Sequence, residues 1–420
     1  MAQRDAVIFV NTRRTTLEAQ ACFFAANRIG LDVVLLADKP IPLPPGVAAE
    51  VVLADTYDGP AALVAAREVA RRRPVAGVVT WGDRDVETVA YLAEGLGLPG
   101  NSPAAAAAAR NKHTARTLLE KAAPHAIPRF YHVRSPADLA PAAEHVGFPA
   151  ILKPTGASSS KGIFEVDDAG QLSVAFDRLM HFTRAGVDPI FQYYPQDLIL
   201  EERLDGTEHS IEGIVVDGRV VSAGVTDKWT AAPFYLEYLQ IHPSALPPAA
   251  LDRACVIADE VVGALGLDCG AIHLEFRHLP DGAVKILEMN ARTGGNFITS
   301  HLIPLSREYD FLGETLRVTT GAADPRPMPD PTGVVAGSIQ VITKETGRFA
   351  GFADLGAALT VPGIEHFTYE IPPGTEVRQP PDEFITPILA TFIGRALDQP
   401  NLIRLLEEAA DACWPLVETG

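Results

Sequence analysis

The sequence predicts a mixed α/β (α+β) chain with a parallel α/β layer at its start and, further on, a sheet organised around an acidic hairpin. Three observations carry this. Strands and helices alternate over the first hundred residues, a two-stranded hairpin is written into 271–296, and 420 residues are long for one core and imply two or three domains. Residues 6–10 read as a buried strand, 15–28 carry helical apolar spacing, and 32–36 read as a second strand. A strand at 77–80 and a helix at 86–95 continue a parallel layout. Ligands in such sheets sit beyond the carboxyl ends of the strands. The stretch Trp81-Gly82-Asp83-Arg84-Asp85 follows a strand directly, which makes Asp83 a candidate substrate contact, while Asp85 reads equally well as a helix N-cap.

Composition narrows the classes. A net charge of -18 argues against a nucleic-acid or anionic-membrane surface, yet leaves room for a local basic pocket. Cys22, Cys255, Cys269 and Cys413 show no C-x-x-C spacing, so neither a zinc site nor a disulfide framework is expected. No apolar run approaches the length that spans a bilayer, and no basic-then-apolar leader opens the chain. The expectation is a soluble cytoplasmic protein acting on small molecules, without nucleic acid or membrane, and with a homodimer left open.

In the hairpin, Ile272, Leu274 and Phe276 alternate with His273, Glu275 and Arg277, and Asp281-Gly282 supplies the turn before the strand-like run 284–289. With those two residues at the turn centre, Glu275 faces Glu288, and Asn290 and Arg292 follow on the same face. Two facing carboxylates repel. A pair of hard cations would relieve this, because Mg2+ takes oxygen ligands and bridges carboxylates to phosphates. Asn290 adds a neutral oxygen and Arg292 a cation; the plainer reading is a solvated face with ordinary ion pairs. Gly294-Gly295 directly afterwards would let the backbone approach a ligand closely.

Elsewhere, a short strand ends in Lys153-Pro154 and runs into a Thr-Gly-Ala-Ser-Ser-Ser-Lys-Gly loop, 155–162, whose small residues can fold over phosphates. It is not a Walker A loop. Residues 104–109 read as helix, and Arg110-Asn111-Lys112-His113 opens a helix through Lys121. Apolar 198–200 lead into Glu201-Glu202-Arg203-Leu204, and Asp205-Gly206 turns the chain. The segment 251–265 reads as helix; beyond Arg307 come a helix, a Pro-rich linker at 324–332, strands around 334–343 and a helix from Asn401.

Glu275 followed, beyond the hairpin, by Glu288-x-Asn290-x-Arg292 resembles the ATP-grasp superfamily of carboxylate-amine ligases, and most of all its bacterial L-amino acid ligases. The resemblance covers about 95–300 well and implies an N-terminal parallel α/β domain over 1–110, an ATP-grasp domain over 111–315 with a small lid at about 130–203, and a C-terminal cap over 316–420. It implies ATP and two Mg2+ ions as cofactors, with Mn2+ able to substitute, and Glu275, Glu288 and Asn290 as metal ligands. Lys112, followed by Arg116, and Lys153 would meet phosphates, with Ser158, Ser159, Ser160 and Gly162 covering them. Backbone groups of Glu202 and Leu204, next to Glu201, would read adenine, and Glu208 the ribose. Lys228 would touch the γ-phosphate, and Arg292, with Gly294 or Gly295, would stabilise the oxyanion. Asp83 and His242 fall at substrate positions, although for His242 an ordinary loop histidine is the plainer reading. The activity implied is ADP-forming amide-bond formation through an acyl phosphate, between amino acids or natural-product precursors. Alternatives are a biotin-carboxylase-like carboxylase and a non-catalytic ATP-binding protein.

Overall fold

A computed structural model describes residues 4–418, so that only the outermost ends of the expected first and last domains, 1–3 and 419–420, lie outside it. The first layer runs β1 (Ala6–Val10), α1 (Thr16–Arg28), β2 (Asp32–Ala37), β3 (Glu50–Leu53), α2 (Gly59–Arg72), β4 (Val75–Val79) and α3 (Val86–Leu96). Its four strands are parallel in the order β3-β2-β1-β4. β1 is buried along its whole length, which is why it reads as an unbroken apolar run. The edge strand β3 is half exposed and was not expected from its sequence. Beyond β4, Trp81 is fully buried and packs edge-on against Phe9 at 5.1 Å. The aromatic therefore belongs to the core, and it anchors the loop that carries Asp83.

Asn111 divides the next helical stretch into α4 (Pro103–Arg110) and α5 (Lys112–Ala122), because its side chain caps α5 by accepting from the Thr114 N–H. A small antiparallel sheet follows, in which β5 (Phe130–Val133), α6 (Leu139–Val146), β6 (Ala150–Pro154), β7 (Phe164–Val166), α7 (Ala169–Phe182) and β8 (Leu198–Glu202) give the order β5-β8-β6-β7. It has its own core of Leu152, Phe176, Leu179 and Leu200.

The largest sheet holds eight strands. β9 (Thr207–Val216), β10 (Arg219–Ala231) and β11 (Leu236–His242) come first, then α8 (Pro248–Leu265), β12 (Cys269–His278), β13 (Val284–Asn290) and β14 (Val335–Ile342). β15 (Gly347–Ala353), β16 (Ile364–Tyr369), β17 (Glu376–Val377), β18 (Ile388–Ala396) and β19 (Trp414–Glu418) complete the chain. The order β13-β12-β9-β10-β11-β14-β18-β16 shows that the C-terminal segment continues the central sheet through β14 on β11. β15, β17 and β19 form a separate three-stranded sheet that the sequence reading did not anticipate.

Candidate active site

The carboxyl ends of β1 and β4, the small sheet and the acidic hairpin enclose a cleft of about 740 Å³. Lys112, Lys153, Ser158, Ser159, Ser160, Glu201, Glu202, Leu204 and Glu208 line it, as do Glu275, Glu288, Asn290, Arg292, Asp83 and Gly295. Lys228 stands one contact behind, bonded to Glu275, while Gly162, Gly294 and His242 are not on the wall.

Glu275 does pair with Glu288, though by a different route from the one expected. The loop holds three residues, Pro280 to Gly282, with Gly282 left-handed at φ +82°, and pairing is one residue out of the expected register up to Phe276 opposite Ile286. Leu287 is then an extra residue on β13, and this bulge restores the Glu275–Glu288 pair. It also presents the Ile286 and Leu287 carbonyls to Arg116 Nη2 at 3.0 and 2.9 Å.

The repulsion between the two carboxylates is relieved by the protein's own cations. Lys228 Nζ lies 2.5 Å from Glu275 and 2.9 Å from Glu237, and Lys112 Nζ lies 2.9 Å from Glu288. His273, buried two residues before Glu275 on the same strand face, bridges Glu212 at 2.7 Å and Glu275 at 3.0 Å. Burial alone would depress its pKa, but the charge and hydrogen bond of Glu212, helped by Glu275, push it up to about 9. Burial likewise disfavours the Glu275 carboxylate, yet Lys228 and His273 hold it well below the usual range. Glu208 is the opposite case: burial, reinforced by the charges of Glu275 and Glu237, outweighs Lys228 and raises it to about 7.

The donor set fits a hard cation. Asn290 Oδ1 is buried with no hydrogen-bond partner and lies in the same face as the two acids. Among the described residues no three His, Cys, Asp or Glu side chains converge to hold a metal. A cation between Glu275 and Glu288 would therefore draw on the Asn290 amide oxygen, an oxygen-only set suited to Mg2+.

On the small-sheet side, Lys153 Nζ lies 2.6 Å from Glu201, whose other oxygen is 2.7 Å from Arg116 Nε. Burial lowers the Lys153 pKa against the pull of Glu201. In the serine loop, Ser159 and Ser160 are left-handed at φ 57° and 56°, and Ser160 Oγ donates to the Tyr235 carbonyl at 2.8 Å. Gly162 has φ +79°, and a Cβ there would fall 2.9 Å from Leu179 and 3.1 Å from Pro154. It shapes the loop from behind and makes no part of the wall.

Three expectations are corrected. Asp83 is no open acceptor, because Arg292 grips it with two bonds of 2.8 and 2.7 Å. The Gly294 N–H is already used, donating to Glu212 at 3.0 Å, and a Cβ at Gly294 would strike that carboxylate. His242 ends a central strand rather than lying in a loop, and it is fully buried beside Gly224 and Thr226; burial, with Arg307 nearby, lowers its pKa to about 3. Four residues at the site went unnoticed in the sequence: His273, Glu212, Glu237 and Arg13. His273 and Glu212 are register partners, so strand alternation from Glu275 leads to both. Arg13 lies just beyond the carboxyl end of β1, where the strand-end rule that singled out Asp83 also points, whereas no sequence signal leads to Glu237.

Residues 146–301 match the family model of the ATP-grasp domain, and residues 23–100 match that of the ATP-grasp N-terminal domain. Carnosine synthase 1 of Gallus gallus is 32% identical over 235 residues, covering 54% of this chain and 25% of that protein. Alanine–anticapsin ligase of Bacillus subtilis (strain 168) is 30% identical over 230 residues, covering 52% of this chain and 48% of that protein. The chain thus matches a quarter and about half the length of these two relatives. The crystal structure of an L-amino acid ligase from Bacillus licheniformis superposes with a TM-score of 0.83 over 100% of both chains at 20% identity, which is a likeness of fold. With an ATP-grasp N-terminal domain over 23–100 followed by an ATP-grasp domain over 146–301, the chain belongs to the ATP-grasp superfamily.

Proposed function

We propose that the protein is an ADP-forming carboxylate-amine ligase that joins amino acids, or amino-acid-like natural-product precursors, in the cytoplasm. The observation that carries this reading is the meeting, in one cleft, of the buried lysines 112 and 153, the Glu275, Glu288 and Asn290 row, and Arg292. Binding a nucleotide calls for the lysines and the row. It does not call for a guanidinium fixed by a buried carboxylate beyond the end of that row.

In the proposed reaction a carboxylate oxygen attacks the ATP γ-phosphorus and ADP leaves. The amine nitrogen then attacks the acyl carbon, and phosphate departs as the nitrogen loses a proton. Lys153 and Lys112 offset phosphate charge, and the 158–162 loop covers it. Glu275, Glu288 and Asn290 would hold Mg2+, which, when bound, neutralises charge on the transferring phosphoryl group. Lys228 supports the row by sharing its charge between Glu275 and Glu237. Arg292, oriented by Asp83, stabilises the tetrahedral oxyanion. Gly295 lines the cleft beside it, whereas the Gly294 N–H is committed to Glu212.

The test is phosphate release from ATP over a matrix of amino acid pairs, with the amide product identified by mass and Glu288→Gln as control. Pair-dependent release that vanishes in the control supports the proposal. ATP binding without release for any pair would leave a nucleotide-binding protein in its place.

A further inference from the structure

The first domain contributes a marked charge asymmetry to the cleft. Every acid there is engaged: Asp83 by Arg292, Asp38 by Arg84 at 2.8 Å, and Asp85 by Asn11 at 2.9 Å and Arg84 at 3.2 Å. Glu18 accepts from Thr15 Oγ1 at 3.1 Å and from the Phe297 N–H at 3.3 Å, and Arg14 is paired with Glu370 at 2.6 Å. Arg13 differs from all of these. Its Nη2 donates to the Thr293 carbonyl and hydroxyl, both at 2.9 Å, and to the Gly294 carbonyl at 2.7 Å. Those acceptors are neutral, and among the described residues no carboxylate lies within salt-bridge distance of it. Among the described residues its Nε and Nη1 have no hydrogen-bond partner, and it lines the cleft just beyond the carboxyl end of β1. Lys39, exposed and without an ion-pair partner among the described residues, lines the same side.

A guanidinium anchored through one nitrogen, with two donors left over and no counter-charge, is prepared for an anion. Neutral carbonyls fix its position without cancelling its charge. It is bonded to Thr293 and Gly294, the two residues after Arg292, so an anion on Arg13 would sit close to the reacting centre.

We infer that Arg13 binds a substrate carboxylate that the reaction does not consume, and so selects substrates carrying one. This rests on the ligase reading above. The carboxylate has two sources: the α-carboxylate of an amino acid serving as the amine, or the second acid group of a dicarboxylic acyl substrate. Among the described residues the first-domain acids lining the cleft are all engaged, which agrees with either, since neither asks the first domain to receive an ammonium.

Two probe pairs separate the sources: alanine against alaninamide as amine, and glutamate against glutamine as acyl substrate. Each is measured for KM by phosphate release, and for binding by calorimetry in the presence of ADP and Mg2+, with wild type, Arg13→Gln and Arg13→Lys. The wild type should prefer the free acid in one pair. Arg13→Gln should erase that preference by raising the KM and Kd of the acid about ten- to a hundredfold, leaving the amide and ATP constants in place. Arg13→Lys should keep part of the preference. If Arg13→Gln retains the discrimination, or loses kcat alike for all substrates at constant KM, Arg13 only braces the Thr293–Gly294 backbone and the inference is overturned. A wild type that releases no phosphate with any pair would instead defeat the ligase reading, and the binding titrations would still decide the role of Arg13.

Discussion

Replacing Asp83 with Asn removes the charge that holds Arg292. The two side chains are 8% and 10% exposed and meet through two parallel bonds, so little water is at hand to replace the lost partner. Breaking a buried pair by removing one member costs about 3–5 kcal/mol, and Asn keeps one acceptor, which places the loss near ~3 kcal/mol. Catalysis should suffer as well, because a guanidinium freed from its fork no longer points at one place. Losing an oxyanion donor costs about 10²–10³ in kcat, so kcat should fall by about 10²-fold with substrate KM little changed. Steady-state phosphate release and thermal denaturation measure the two effects. Asp83→Asn in an Arg292→Gln background should cost far less than in the wild type. Additive costs, or a raised substrate KM at unchanged kcat, would refute the reasoning and return Asp83 to the role of ammonium acceptor. The pH dependence follows in sign. Burial would raise the Asp83 pKa, but Arg292 outweighs burial and depresses it, so this pair's stability is fully present above the ordinary carboxylate pKa and is lost as pH falls through the folded value.

Three other outcomes are expected. Glu288→Gln should abolish phosphate release with an unchanged circular dichroism spectrum; turnover at the wild-type rate would remove Glu288 from the metal set. Lys153→Ala should weaken ATP binding by calorimetry about ten- to a hundredfold, since Glu201 keeps Arg116 as its partner and the fold should survive; unaltered affinity would detach Lys153 from the phosphates. His273 has a folded pKa near 9, above its unfolded value, so its contribution is complete below about pH 6.5 and disappears as pH rises through about 9. Stability should decline over that window in the wild type and not in His273→Gln; parallel profiles would mean that His273 is neutral in the folded protein.

The facing of Glu275 and Glu288 was legible because alternation and Asp281-Gly282 constrain it from both ends. The route was not, since a three-residue loop compensated by a bulge at Leu287 leaves the same pair opposed. Lys112, at a helix start, and Lys153, at a strand end, were found through the family resemblance, but their present partners, Glu288 and Glu201, depend on tertiary packing. Asp83 was found for its position and misread in its role, because no local pattern connects it to a residue 209 positions away. The strands β15, β16, β17 and β19 are short or half exposed, and that weakens the periodicity by which β1 and β12 announce themselves. His242 sounded like loop because prolines surround it, yet Leu236–His242 pairs on both sides within the central sheet.

In the proposed reaction a carboxylate is phosphorylated in this cleft before the amine attacks. Labelling the acyl substrate with 18O in its carboxylate and recording the mass of the released phosphate tests it directly. One 18O atom should appear in each phosphate formed, together with ADP and the amide. Unlabelled phosphate, or label recovered in AMP, would contradict it.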